Sequence, residues 1–349
     1  MLGAAAELPA QVRDAWAITR SLTLPEAHRS VTAVAVLGMG GSAIGGDLVR
    51  GIWADRLRVP VEVVRGYDIP AWVGPSTLVV ASSYSGGTEE TISAFGQAAE
   101  RKAPCAVIST GGTLLDVARR ARLPHLAFQG GGQPRASVGY AVTLLAGLLE
   151  RAGLLDLGDA DVEAAAHDAD IRVAASAPSC RPPRTRPSGW RGPSSTGCPS
   201  SRRPGSLARS HGAGRRSSTR TARRPRRGRS ARGDPQRRRG LPAAGHLKDH
   251  LIVVFLEGDD DHARNRLRAR LSRELVEAAG ISSEVVTVTG DGRFGQALDA
   301  IVRGDFASIY LAALYGVDPT PVEPITMLKA AMSLADASDA DADVGDAGA

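Results

Sequence analysis

With 349 residues and 43% hydrophobic side chains, the chain is long enough for one large domain or two ordinary ones, and for a substantial core. Its net charge of +6 points to a polyanion partner only until the distribution is read: Arg181–Gly240 holds 19 Arg, no Lys and one acid, Asp234, while the remainder carries 24 basic and 36 acidic residues. Cys105, Cys180 and Cys198 make no CxxC pair and are odd in number, which argues against a disulfide framework, and no run reaches the roughly 18 apolar residues of a membrane span. With no secretory pattern in Met1–Ala10, a cytoplasmic protein is expected.

Val31–Leu37, "VTAVAVL", is a short run rich in β-branched residues. Gly38-Met39-Gly40-Gly41 and a helical pattern from Ser42 to Leu57 follow it. Val59–Val64 predicts a second strand, Thr77–Ser82 a third, Thr88–Arg101 a helix and Cys105–Ser109 a fourth strand. These mainly apolar runs suit parallel strands covered by helices. Val138–Ala152 and Val162–Val173 continue as helices. From Pro178 to Gly240 the only large aliphatic side chain is Leu207 and the only large aromatic one is Trp190, too little apolar surface to offset ordering costs of about 1–2 kcal/mol per residue, so disorder is expected. Regular patterning resumes with a strand at His250–Leu256, a helix at Asp261–Ala279, a strand at Ser283–Val288 and helices at Leu298–Tyr315 and Pro321–Leu334; the last residues read as a solvated acidic tail.

The chemistry concentrates in two loops that each join a strand to a helix. Ala81–Thr91, "ASSYSGGTEET", supplies the hydroxyls of Ser83, Ser85 and Thr88, and Gly86 and Gly87 remove Cβ atoms that would block an approaching anion. The alternative is a plain helix cap at Gly87 or Thr88 with Glu89 and Glu90 answering the helix dipole. Gly38–Asp47, "GMGGSAIGGD", meets the loose dinucleotide pattern through Gly38, Gly40 and Ala43. The acid expected after the next strand is missing, because Arg65 follows Val64. Neither loop ends in Gly-Lys-Ser/Thr, and a sugar phosphate lying across the strand ends suits both.

These loops, together with "STGG" at Ser109–Gly112, "PRASVGY" at Pro134–Tyr140 and "GDFASIYLAALYGVDPTPVEPITMLK" at Gly304–Lys329, resemble the bifunctional phosphoglucose/phosphomannose isomerase family, built from sugar isomerase (SIS) domains. The likeness spans residues 8–175 and 247–334. It implies an α/β protein of two SIS-type parallel-sheet domains, the second disrupted by a low-complexity Arg/Pro/Gly/Ser segment. The layout is an N-terminal domain over 8–153, a helical connection over 154–177, an aberrant or disordered basic segment over 178–246, the rest of the second domain over 247–334 and an acidic tail over 335–349. It further implies hexose 6-phosphates as substrates, interconverted as aldose and ketose through an enediol, a homodimer, and no cofactor or metal. Gly41, Ser42, Ser83, Ser85 and Thr88 become phosphate and sugar contacts, Arg135 the cation that supports the reacting oxygens, and Lys329 a second active-site cation. The family's usual Asn between Gly86 and Thr88 is Gly87 here.

The family's general base, a Glu in Asn-Glu-Asn, and its ring-opening His in Asn-His-Asn-Glu have no counterpart in this chain. The block that should hold them contains only Asp234 and His211 as comparable groups. An out-of-frame reading of a GC-rich gene between compensating indels near Ala177 and Gly240 accounts for the Arg, Pro, Gly and Ser content. Two further functions are weighed: a sugar-phosphate-binding protein without catalysis, and, remotely, nucleic-acid binding through Arg181–Arg239, where almost no aromatic residues are available for base stacking. His246 and His250 stand four apart without further ligands in sequence, so zinc is not expected.

Overall fold

The computed structural model describes residues 1–177 and 250–323, with 327, 328 and 331; the basic segment, Lys329 and the acidic tail lie outside the described residues. Two helices, α1 (Leu2–Ala6) and α2 (Leu8–Arg20), precede strand β1 (Ala33–Leu37). There follow α3 (Gly40–Ile52), β2 (Val61–Val64), β3 (Thr77–Ser83), α4 (Glu89–Glu100), β4 (Cys105–Ser109), α5 (Gly112–Arg120) and β5 (His125–Ala127). The strands form one parallel sheet in the order β2-β1-β3-β4-β5.

Strand alternation divides the core between the two faces of this sheet. Val34 and Val36 of β1, with Leu78, Val80, Ala106 and Ile108, pack into a large cluster. Ala35 and Leu37, with Val79, Ala81 and Val107, meet Ala94, Phe95 and Ala98 of α4 and Leu114 and Ala118 of α5. On the first face lie α2, α3, α6 (Val138–Arg151) and α7 (Asp159–Ser176). The crossing of α3 and α6 is close: a Cβ on Gly45 would come within 2.7 Å of the Ala141 carbonyl oxygen, so a larger residue there would force the helices apart.

Beyond the basic segment, β6 (Ile252–Gly258) and β7 (Ser282–Val288) pair in parallel, flanked by α8 (Ala263–Ala278) and α9 (Gly292–Leu314). The protein is therefore an α/β fold with two parallel-sheet regions. The first is a five-stranded sheet covered on both faces; of the second, two strands are described. Phe294, Leu298, Val302 and Phe306 recur every fourth residue, and this stripe of α9 joins the large core cluster beside α7. Helix α9 begins six residues before the expected Leu298 because Gly292 and Gly295 weaken the helical signal in its first turns. Among the described residues, no helix is long and apolar enough to cross a membrane.

Candidate functional site

The order of the sheet locates a site before any side chain is considered. The chain leaves β1 for β2 on one side, then returns to place β3 on the other. Helices α3 and α4 thus start from the carboxyl ends of adjacent strands at the point where the strand order reverses, which is where open parallel sheets bind ligands.

The two loops are hydrogen-bonded to one another. Tyr84 N–H, just past β3, donates to Ser42 Oγ in the first turn of α3 at 3.2 Å. At the start of α4, the Thr88 hydroxyl lies 2.9 Å from that of Ser83, and Ser83 Oγ also accepts from Gly86 N–H at 3.1 Å. Ser83 is buried at 3% exposure, so its hydroxyl braces the loop from inside; Gly41, Ser85 and Gly87 are exposed and Thr88 and Ser42 half-buried. Ser85 Oγ accepts from Gly87 N–H at 3.3 Å.

Thr88 is the N-cap of α4 but makes no side-chain cap bond. Among the described residues, the N–H groups of Thr88, Glu89, Glu90 and Thr91 donate to no acceptor. Four free donors at the positive end of a 12-residue helix favour an anion. The Glu89 carboxylate accepts from Tyr67 OH at 3.3 Å, on the side of the β2–β3 connection.

A third loop, after β4, closes against the second. Gly86 has a φ of +66°, and a Cβ there would fall 1.8 Å from Gly111 O; at Gly112, with a φ of +69°, a Cβ would fall 2.4 Å from the Ser85 carbonyl oxygen. Thr110 Oγ1 donates to Tyr84 O at 2.6 Å, and Leu114 N–H donates to Gly86 O at 2.9 Å. Residue type alone does not single out Thr110 or Tyr84. The one signal for Thr110 is its place in "STGG", a Thr beside two glycines at a strand end.

Arg135 sits in a one-turn 3-10 helix, Pro134–Ala136, that follows the glycine run Gly130–Gly132. Its guanidinium donates to the carbonyl oxygens of Pro319 and Thr320, the second at 3.1 Å, in a turn where Thr320 N–H donates to the Asp318 carboxylate at 2.8 Å. Hydrogen bonding to Thr320 holds the Asp318 carboxyl below its ordinary range. Pro134 borders the same recess as Gly41, Ser42, Ser83, Tyr84 and Phe128, so the Arg135 turn adjoins the first two loops. The recess has about 10 Å³ of free volume, about the least that holds one water. Two larger cavities, of about 320 and 360 Å³, lie between α3 and the start of α9, lined by Trp53, Asp55, Asp260, Arg293 and Gln296 among others. Of the three loops only Asp47, the last residue of the first, borders either cavity. Among the described residues, no group of three or more His, Cys, Asp or Glu is placed to hold a metal ion.

Comparison with known proteins follows the same division. A family model described as the bacterial phospho-glucose isomerase C-terminal SIS domain matches residues 240–332. The bifunctional phosphoglucose/phosphomannose isomerase of Caldicellulosiruptor bescii is 29% identical across 92% of this chain and 96% of its own length. Over nearly its whole length the chain is thus similar to phosphosugar isomerases, and residues 240–332 match a SIS domain. The Aquifex aeolicus protein of the same description is 25% identical over 84% of this chain and 88% of its own. Among solved structures, the C-terminal domain of glucosamine-fructose-6-phosphate aminotransferase from Francisella tularensis superposes with a TM-score of 0.57 at 13% identity. It covers 92% of this chain and 98% of that one, a likeness of fold.

Proposed function

We propose that the protein binds the phosphate of a hexose 6-phosphate at the start of α4 and is an aldose–ketose isomerase acting between glucose or mannose 6-phosphate and fructose 6-phosphate. The observation that carries the reading is the Tyr84–Ser42 bond, which gathers two helix starts and their free N–H groups at one point of the sheet. Thr88, Ser85, Ser42 and Gly41 face the anion, Ser83 shapes their loop from within, and Arg135 stands over the sugar. Isomerisation moves a proton between C1 and C2 through an enediol and is redox-neutral, so it requires a base and a cation but no external oxidant or reductant. Arg135 and Lys329 are the cations in this reading. A homodimer with the hexose 6-phosphate as ligand, and the two-domain layout with its interrupting segment, belong to the same proposal.

Calorimetric titration tests the phosphate site. Fructose 6-phosphate should bind and fructose should not, and Thr88→Val should weaken binding about tenfold, the worth of one charge-assisted hydrogen bond. Equal affinity for the sugar with and without phosphate rejects the site.

A second reading, sugar-phosphate binding without turnover, is favoured by one observation: the chain has neither family motif for the base or the ring-opening His. Exchange of a C1 proton of bound fructose 6-phosphate with deuterated solvent separates the two. Exchange supports the isomerase, and binding without it supports the second reading. The Arg, Pro, Gly and Ser content of Arg181–Gly240 supports a frame-shifted origin for that block. Resequencing should find compensating indels near Ala177 and Gly240. An unbroken frame in verified DNA removes that explanation.

A further inference from the structure

Tyr84 in the phosphate loop stands 47 and 48 positions before Gly131 and Gly132 in the loop that carries Arg135, yet its side chain joins the two. Tyr84 lies between Ser83 and Ser85. Its phenol oxygen accepts from the N–H groups of Gly131 and Gly132 at 3.1 and 3.2 Å, and its O–H donates to the Gly132 carbonyl at 2.9 Å. A phenol has one donor and two acceptor positions, so its capacity is filled by main chain from a single loop. Among the described residues, Tyr84 is the partner in every hydrogen bond that Gly131 or Gly132 makes. The segment it holds is Gly130-Gly131-Gly132, the stretch with the most backbone freedom to lose, and two residues later it becomes the Pro134–Ala136 turn that bears Arg135.

The other end of Tyr84 is fixed just as firmly. Its N–H is bonded to Ser42 Oγ, and its carbonyl accepts from both the hydroxyl and the N–H of Thr110, at 2.6 and 3.2 Å. A purely space-filling tyrosine would bury its ring in a core. This ring is only half-buried, outside both hydrophobic clusters, with an edge-on contact to Phe128 at 6.0 Å between centroids. What distinguishes the residue is its polar bonding rather than its burial.

We propose that Tyr84 is a positioning residue: its main chain belongs to the phosphate grip, and its phenol sets where Arg135 stands relative to that grip. The inference rests on the hexose 6-phosphate reading of the site. It places the Tyr84 side chain outside the contacts to phosphate itself and makes its effect on ligand pass through Arg135.

Tyr84→Phe removes the phenol oxygen and keeps the ring. Amide exchange in a peptide spanning residues 129–137 should become about tenfold faster or more while β3 exchanges as before, since the loop loses its hydrogen bonds and the strand does not. Affinity for inorganic phosphate should change by less than about twofold, whereas affinity for fructose 6-phosphate should fall about tenfold. In an Arg135→Gln background the same substitution should cause almost no further loss, because coupled residues are non-additive. Unchanged exchange over 129–137 overturns the proposal, as does an equal loss of phosphate and sugar phosphate or a full additive loss in the Arg135→Gln protein. If the wild-type chain binds phosphate but does not prefer fructose 6-phosphate, the functional reading fails, and the exchange result alone then decides whether Tyr84 holds the Arg135 loop.

Discussion

Changing Gly86 to alanine should remove detectable binding of fructose 6-phosphate, a loss of about a hundredfold or more, while the rest of the sheet stays folded. Two independent effects act at this residue. Its φ of +66° is a left-handed conformation that costs an L side chain about 1–2 kcal/mol. More severely, the new methyl carbon would stand 1.8 Å from the Gly111 carbonyl oxygen and 2.7 Å from Ser109 Oγ. The first obstacle is main chain held at the end of β4, so it cannot rotate away. The second loop must therefore lift off the third, which breaks the Leu114 N–H to Gly86 O bond and turns the start of α4 away from Ser42. A misplacement of about 1 Å is enough to cost about a hundredfold in a site that works by position. Gly87→Ala is the control. No protein atom lies within 4 Å of a Cβ there, so the loop contact stays intact, and the loss, limited to what the methyl meets in the anion itself, should be far smaller than that of Gly86→Ala. The comparison is made by calorimetry, with circular dichroism to verify the fold. Equal binding by the Gly86 and Gly87 variants contradicts the role given to loop contact.

Much of the first sheet is legible in sequence because its strands are buried on both faces. "VTAVAVL", "STLVVASS" and "CAVIS" are continuous apolar runs closed by glycine or serine, and β1, β3 and β4 occupy them to within two residues. Strand β5 is three residues long, His125–Ala127, too short to show a period, and takes its place only by pairing with β4. The spacing of Leu8, Val12, Ala15, Trp16 and Thr19 carries the buried face of α2. At the site, the hydroxyls and glycines are legible as residue types, since anions favour them at helix starts. Their division of labour is not. Ser83 turns inward and Ser85 outward within one loop, and the bond between Tyr84 and Ser42 spans 42 residues. Lys329 is named by motif alone, and its place lies outside the described residues.

Asp299→Ala should destabilise the protein by about 3 kcal/mol, the largest loss of stability expected from one side chain outside the apolar core. Asp299, on α9, is 1% exposed. One carboxylate oxygen receives the guanidinium of Arg172 from α7; the other receives Arg303, one turn further along α9, at 2.7 Å, and Thr289 N–H at 3.1 Å. The carboxylate therefore fastens α7, the end of β7 and α9 together. Removing it leaves two guanidiniums facing one another without a counter-charge and a main-chain donor without an acceptor, and breaking a buried pair in this way costs about 3–5 kcal/mol. The arginine side chains are 22% and 30% exposed, so water recovers part of their solvation and the low end applies. Urea unfolding measures the loss. Replacing all three residues, with Arg172→Met, Asp299→Leu and Arg303→Met, should recover most of it, because the apolar set removes the charges as well as their partner. The effect should also reach the proposed sugar site: α9 leads into the turn whose Pro319 and Thr320 carbonyls hold Arg135, so loosening the helix frees that cation. Fructose 6-phosphate affinity in Asp299→Ala should fall severalfold while the phosphate loop's own bonds persist. A stability change below about 1 kcal/mol would mean that α7 and α9 are held by the Phe294–Phe306 stripe alone.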